Sequence, residues 1–500
     1  MTPLAMNLLA TATDHPNRIA LKLDDVELTY SELLARAQGV AVGLHRMGLK
    51  PGDRVALVLP NVPAYATTFY GAQLAGMIVI PINPMCKARE IAYFIEDSGA
   101  QAIFAYHGDI AKEVYAAVDD VEVRECDDCG LVDLTQPSPI DATAPEAPST
   151  ASRRMDDTAV LLYTSGTTGK PKGAELTHRN LTTNACTTAE CITEIQNSDV
   201  ILGCLPLFHS FGLSCVLNAA IYRGACVTLI PKFDPKRVLE IMKRDQVTVF
   251  AGVPTMYSAL LNDTTSDRSV PTLRSCISGG ASLPGEVLRA FEATFDCMIL
   301  EGYGLSETSP AASFNLPTTE RRHGTVGCAL RGVEMRVVNA DGEELPDGEI
   351  GEIVIRGENV MRGYWRRPEA TAEAMFDDWF RSGDLGVRDH DGYFSIVDRK
   401  KDMIIRGGYN VYPREVEEVL YEHPDVIEAA VVGIPHPQLG QEVAAAVVLR
   451  PGSEATPEEI QTIVRDALAA YKYPREVWIL DSLPKGPTGK ILRREIRTET

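Results

Sequence analysis

The chain has 500 residues, 45% of them hydrophobic and 23% charged, and carries a formal net charge of −21. That length allows two or more domains with large buried cores, and the composition is that of an ordinary globular protein. The negative charge argues against nucleic acid or an anionic membrane as the main partner, so any phosphate ligand must meet a local positive island.

In chain order, Met1 to Ala10 lack the basic start and sustained apolar stretch of a signal peptide. No apolar run further on approaches the roughly 18 residues that an integral membrane segment needs. Thr29 to Ala37 reads as a capped amphipathic helix, followed by a strand at Arg54–Leu59. Asp119 to Asp157 is acidic and rich in Pro, Thr and Ala, the pattern of a surface excursion. Helix–strand pairs then recur: a helix from Asp234 to Asp245 precedes a strand at Val247–Ala251. A strand at Ser275–Ser278, a helix from Pro284 to Phe295 and a strand at Met298–Leu300 follow. The alternation predicts an α/β fold with parallel sheets. From Gly332 the pattern changes to short strands with Asp-Gly turns at 341, 347 and 391, which predicts a β-rich part over 332–398. Beyond the charged joint Arg399 to Asp402, helix 413–422, strand 426–432, helix 457–470 and strand 477–480 predict a small α+β unit. The expected domains are therefore 1–400 and 401–500.

Eleven cysteines lie between Cys86 and Cys328, irregularly spaced and mostly in apolar segments. They read as buried thiols of a reducing compartment, which predicts a cytoplasmic protein. Cys126-Asp-Asp-Cys129 is a lone pair, and a zinc site needs a second pair of ligands.

The segment richest in chemistry is Tyr163-Thr-Ser-Gly-Thr-Thr-Gly-Lys-Pro-Lys-Gly173, directly after the apolar run Thr158–Leu162. Glycines let backbone N–H groups converge, hydroxyls donate hydrogen bonds and two lysines add charge, which suits a polyanionic phosphate. The spacing is not that of a Walker A loop, because Gly166 and Gly169 enclose only two residues and Pro171 follows Lys170. Gly302-Tyr303-Gly304-Leu305-Ser306-Glu307-Thr308 follows a strand and offers an aromatic face for a purine, then a carboxylate and a hydroxyl for Mg²⁺ and phosphate. Ser382-Gly383-Asp384-Leu385 places an acid in a tight turn, and Lys490 ends the glycine-rich Pro484-Lys-Gly-Pro-Thr-Gly-Lys.

In this order these segments resemble the acyl-adenylate-forming superfamily of acyl-CoA synthetases, firefly-type luciferases and adenylation domains, over nearly the whole chain. The resemblance implies a large N-terminal domain and a small mobile C-terminal one. It implies ATP, Mg²⁺ and CoA as reactants: a carboxylate attacks ATP to give acyl-AMP and pyrophosphate, then a thiol displaces AMP. Thr164, Ser165, Gly166, Thr167, Thr168, Gly169, Lys170 and Lys172 would hold the β- and γ-phosphates. Tyr303, between Gly302 and Gly304, would stack on adenine beside Gly279, Gly280 and Ala281. Glu307 and Thr164 would take Mg²⁺, Thr308 would touch the α-phosphate, and Asp384 with Arg399 would hold the ribose. Lys490 would bridge the two anions that must react. Lys401 matches the hinge and Gly408 the wall of a pantetheine tunnel.

His209 stands where amino-acid-activating relatives carry an aspartate, which argues for an acyl or aryl acid. Phe211, Val253, Tyr257, Ser278, Gly279, Gly302 and Ala311 are the expected pocket residues, mostly apolar or small. A greasy acyl chain suits them, and the run Lys232-Phe-Asp-Pro, helix, Val249 to Tyr257 looks most like bacterial fatty acid–CoA ligases, with 4-coumarate-type and malonate-type ligases as alternatives. A dicarboxylate would need a buried cation; Arg289 is the nearby candidate, but its helix Pro284–Phe295 reads it as an ordinary surface residue. A luciferase-like oxidation and the loading of an acyl carrier protein remain open alternatives, and a non-catalytic binder fits poorly with Lys490, Glu307 and the loop together. The oligomeric state is not predicted.

Overall fold

The structure is a computed structural model that describes residues 3–128, 130, 153–164, 170–263 and 265–496. Four sheets organise these residues. The first has six strands in the order Glu122–Cys126, Ala102–Tyr106, Arg54–Val58, Ile78–Pro81, Thr158–Thr164 and Lys172–Thr177, parallel except for the last. The second has nine strands. Its parallel centre runs from Met298–Gly304 through Ser275–Ser278, Val249–Gly252, Val200–Gly203 and Cys226–Leu229 to Ile19–Leu23, with antiparallel edges. All twelve residues of the helix Pro63–Leu74 are buried, and it packs against strands of both sheets. A helix apolar on every side can only be a core element.

The predicted alternation is present, with shifted ends. Thr29 caps the helix Tyr30–Arg46, and Glu32 completes a capping box, so that helix starts where its cap predicts and runs on past Ala37. Asp234 caps Pro235–Arg244 with its side chain alone, accepting from the Arg237 N–H. The strand expected at Val247 begins at Val249. The acidic excursion is partly ordinary structure: Glu122–Cys126 is an edge strand parallel to Ala102–Tyr106. Residues 131–152 lie outside the described residues.

The third sheet is antiparallel and spans Val333–Val338, Gly351–Gly357, Met375–Phe376, Trp379–Arg388 and Phe394–Arg399. The fourth contains Ile404–Arg406, Tyr409–Val411, Val426–His436, Gly440–Leu449 and Glu476–Ile479, with the helices Pro413–Leu420 and Pro457–Ala467. At the joint between these two sheets Asp398 is buried. It accepts from the backbone N–H of Arg414 at 3.0 Å and pairs with Arg493 at 3.1 Å, while Arg493 also holds Glu417 at 2.6 Å. Ten cysteines are unpaired, and Cys129 lies outside the described residues. Among the described residues no helix is long and apolar enough to cross a membrane.

Candidate active site

Three candidate segments lie at carboxyl ends of strands. Thr164 ends Thr158–Thr164, Gly279 follows Ser275–Ser278, and Gly302 to Gly304 close Met298–Gly304. Ligands of open α/β sheets bind at these ends.

Asp384 and Arg399 face each other across paired antiparallel strands. The Tyr303 hydroxyl donates to Asp384 Oδ2 at 2.7 Å, and Arg399 Nε lies 3.4 Å from Oδ1. Burial pushes the Asp384 carboxyl above its usual range, opposed by Arg399, the Tyr303 hydroxyl and Lys490. Burial and the same carboxylate hold the Tyr303 hydroxyl firmly protonated. Gly280 sits at φ +81°, which lets the chain turn where a side chain would strain it, and Ala281 is exposed beside it.

On the phosphate side Glu307 Oε1 accepts from the Tyr364 hydroxyl at 2.9 Å and from Thr164 Oγ1 at 3.3 Å. Lys172 Nζ stands 5.0 Å over the Tyr364 ring, and Lys170 Nζ 5.4 Å over that of Tyr93. Ser165 to Gly169, the middle of the expected phosphate loop, lie outside the described residues. No group of three or more His, Cys, Asp or Glu among the described residues could hold a metal by itself. Mg²⁺ normally takes one or two carboxylates and completes its shell with water and phosphate oxygens, so Glu307 with Thr164 fits an ion that arrives with a nucleotide.

Lys490 reaches this place from the C-terminal sheet. Its turn is closed by Gly486 N–H to Lys490 O at 2.8 Å and Gly489 N–H to Gly486 O at 2.9 Å. Thr255 Oγ1 donates to Gly489 O at 2.8 Å, and a side chain at Gly489 would lie 3.2 Å from Val253 Cγ2. Burial lowers the Lys490 pKa to about 8; Arg399 adds to the shift and Asp384 opposes it. His209 feels Lys490 in turn. Burial first and that ammonium second push its imidazole down to about 4, so it is neutral at pH 7. Its Nδ1 accepts from the Phe211 N–H at 3.3 Å, at the start of the buried π-helix Phe211–Asn218.

Several expected residues have other employment. Thr308 is fully buried; its hydroxyl accepts from Leu305 N–H at 2.8 Å and donates to Pro310 O, so it offers no free donor to an α-phosphate. Tyr257 belongs to the core, not to a pocket wall. Its ring packs on Phe250 and Phe291, and its hydroxyl donates to Ile277 O at 2.8 Å. Lys401 is exposed and Gly408 stands in an exposed hairpin turn at φ +86°, so neither reaches the site in this arrangement. Arg289 is the surface residue its helix predicts: it pairs with Glu286 on the exposed face and supplies no buried cation. Sequence reasoning missed Tyr364, Tyr93 and Thr255. Tyr364 is 57 residues from Glu307 with no motif around it, and nothing local marks it.

Strand ends of two largely parallel sheets, with a lysine carried to one of them from the C-terminal part of the chain, are the arrangement of the adenylate-forming class of enzyme. Residues 8–365 match the AMP-binding enzyme family, and residues 415–490 match the AMP-binding enzyme C-terminal domain. The chain belongs to the AMP-binding enzyme family. It is 36% identical to a long-chain-fatty-acid–CoA ligase of Bacillus subtilis, over 98% of this chain and 93% of that protein. It is 38% identical to a feruloyl-CoA synthase of an Amycolatopsis species, over 96% of both chains. ATP-bound MatB from Rhodopseudomonas palustris superposes with a TM-score of 0.90 at 35% identity, covering 99% of this chain and 98% of that one. The apo form of that protein superposes with 0.81.

Proposed function

We propose that the protein is an AMP-forming carboxylic acid–CoA ligase. The observation that carries this is the position of Lys490, held against Val253 and Thr255 and within electrostatic reach of His209, Asp384 and Arg399. A single cation there can lie between a carboxylate and the α-phosphate of ATP, two anions that repel each other until a charge is placed between them. No general base is required, because the carboxylate is already the nucleophile. The residues' work is positioning and neutralisation.

In this reading the Tyr303 ring packs on adenine opposite the Gly279–Ala281 turn, and Asp384 with Arg399 takes the ribose hydroxyls. Lys170 and Lys172, with the loop between Thr164 and Lys170, hold the β- and γ-phosphates. Glu307, oriented by Tyr364, and Thr164 would hold Mg²⁺, which neutralises phosphate charge when bound. The thiol of CoA then attacks the acyl carbon and AMP leaves; a phosphopantetheine on a carrier protein is the alternative acceptor. We further propose that 1–400 and 401–500 act as two bodies, with Lys401 at the hinge, and that their rotation brings Gly408 to the acyl group. The greater likeness to the ATP-bound than to the apo neighbour supports the present arrangement as the one for the first step.

For the acid, the apolar Val253 and the Bacillus subtilis relative support a fatty acid, and the feruloyl-CoA synthase supports an aryl acid. The test is pyrophosphate release, with and without CoA, for wild type and Lys490→Ala. Loss of roughly 10² to 10³ in adenylation is expected for the variant, with thioester formation from a supplied acyl-adenylate retained. Equal loss of both steps would overturn the assignment of Lys490, and wild-type adenylation unaffected by CoA would point to the carrier protein.

A further inference from the structure

The two glycines expected to open the acyl pocket are both covered by aromatic rings. The Phe211 ring lies against Gly279, where a side-chain Cβ would stand 3.3 Å from it. The Phe314 ring lies flat on Gly302, its cross-strand partner, and a Cβ there would stand 2.2 to 2.3 Å from three ring carbons. Alternation along Met298–Gly304 puts Gly302 on the face opposite Tyr303, away from the Tyr303–Asp384 contact. Phe211 and Phe314 are 7% and 4% exposed and share one buried cluster with Ile277 and Leu300. The strand bearing Phe314 is pinned as well: the side-chain amides of Asn184 and Asn359 each donate to Ala311 O at 3.0 Å. The backbone that carries Phe314 is therefore held in place beside Gly302.

We infer that Phe211 and Phe314 close the acyl pocket, so that the enzyme takes compact acids, aryl or short-chain, and that Phe314 sets the depth. A long alkyl chain needs the volume that the Phe314 ring already fills against Gly302, whereas a compact acid does not. This rests on the ligase reading above and narrows its substrate.

The experiment measures kcat and KM for pyrophosphate release with butanoate, benzoate, 4-coumarate, octanoate and palmitate, on wild type, Phe314→Leu and Phe314→Ala, with thermal melts of each. Wild type is expected to favour the compact acids over palmitate by about tenfold or more. Phe314→Ala is expected to raise the octanoate-to-benzoate ratio of kcat/KM by about tenfold, mainly through KM, with Phe314→Leu between. A wild-type kcat/KM that rises through palmitate overturns the inference alone, as do unchanged ratios in a folded variant. Should Phe314→Ala not fold, the leucine variant and the wild-type profile decide. Release with none of the acids overturns the ligase reading and this inference with it.

Discussion

Lys490 is the residue whose environment and proposed task pull in opposite directions. Burial weakens its hold on a proton, to a pKa of about 8, while the proposed task needs the charge. The charged form dominates below that value and is lost as pH rises through it. Adenylation is therefore expected to fall above about pH 8, whereas thioester formation from a supplied acyl-adenylate keeps no such limb; separate pH profiles of the two steps check this. His209, neutral across that range, adds no competing charge. The sequence made Lys490, Glu307, Tyr303 and Asp384 readable because each sits in a glycine-punctuated segment. Tyr364 was not readable, since a tyrosine becomes a partner of Glu307 only when two distant segments meet. Thr308 misled because a hydroxyl after an acid looks equally apt for a phosphate and for capping its own turn.

At the scale of elements, the pairing of Gly302 with Phe314 is a packing device as much as a wall. An aromatic ring on a cross-strand glycine restores the contact that the missing side chain gave up. Gly302→Ala has nowhere to put its methyl group, with ring carbons 2.2 Å away. It is expected to cost about 1–3 kcal/mol of stability, read from denaturant unfolding, and Phe314→Ala in the same chain should recover part of that. The helix cap at Thr29 was legible because a cap is a local chemical statement. The Gly440–Leu449 strand was not. Its run Val443-Ala-Ala-Ala-Val447 is buried on both faces, so it shows no alternation, and alanine carries no strand preference.

The molecule as a whole joins its large and small parts through Asp398, Arg493 and Glu417, and through the loop of Lys490. Gly408 lies outside that joint, exposed, with nothing near the place of a side chain. Gly408→Leu is thus expected to leave pyrophosphate exchange intact and to abolish thioester formation, at a folding cost of about 1–2 kcal/mol for a left-handed residue. Equal loss of both activities would remove Gly408 from the second step. Which residues touch across the divide between the parts was not legible, because Thr255 has no signature of its own.

That threonine has a further consequence. The lysine loop is fastened to the large part by one neutral hydrogen bond, from Thr255 to the Gly489 carbonyl. Such a bond contributes about 0.5–1.5 kcal/mol, a factor of roughly two to ten in an equilibrium between docked and undocked loops. If the two parts move as proposed, it would act as a light latch, strong enough to bias the resting population and weak enough to release within a turnover. Thr255→Val, which keeps the shape and drops the donor, should shift that population by such a factor. The change would appear as a smaller pre-steady-state burst of pyrophosphate with an unchanged second step.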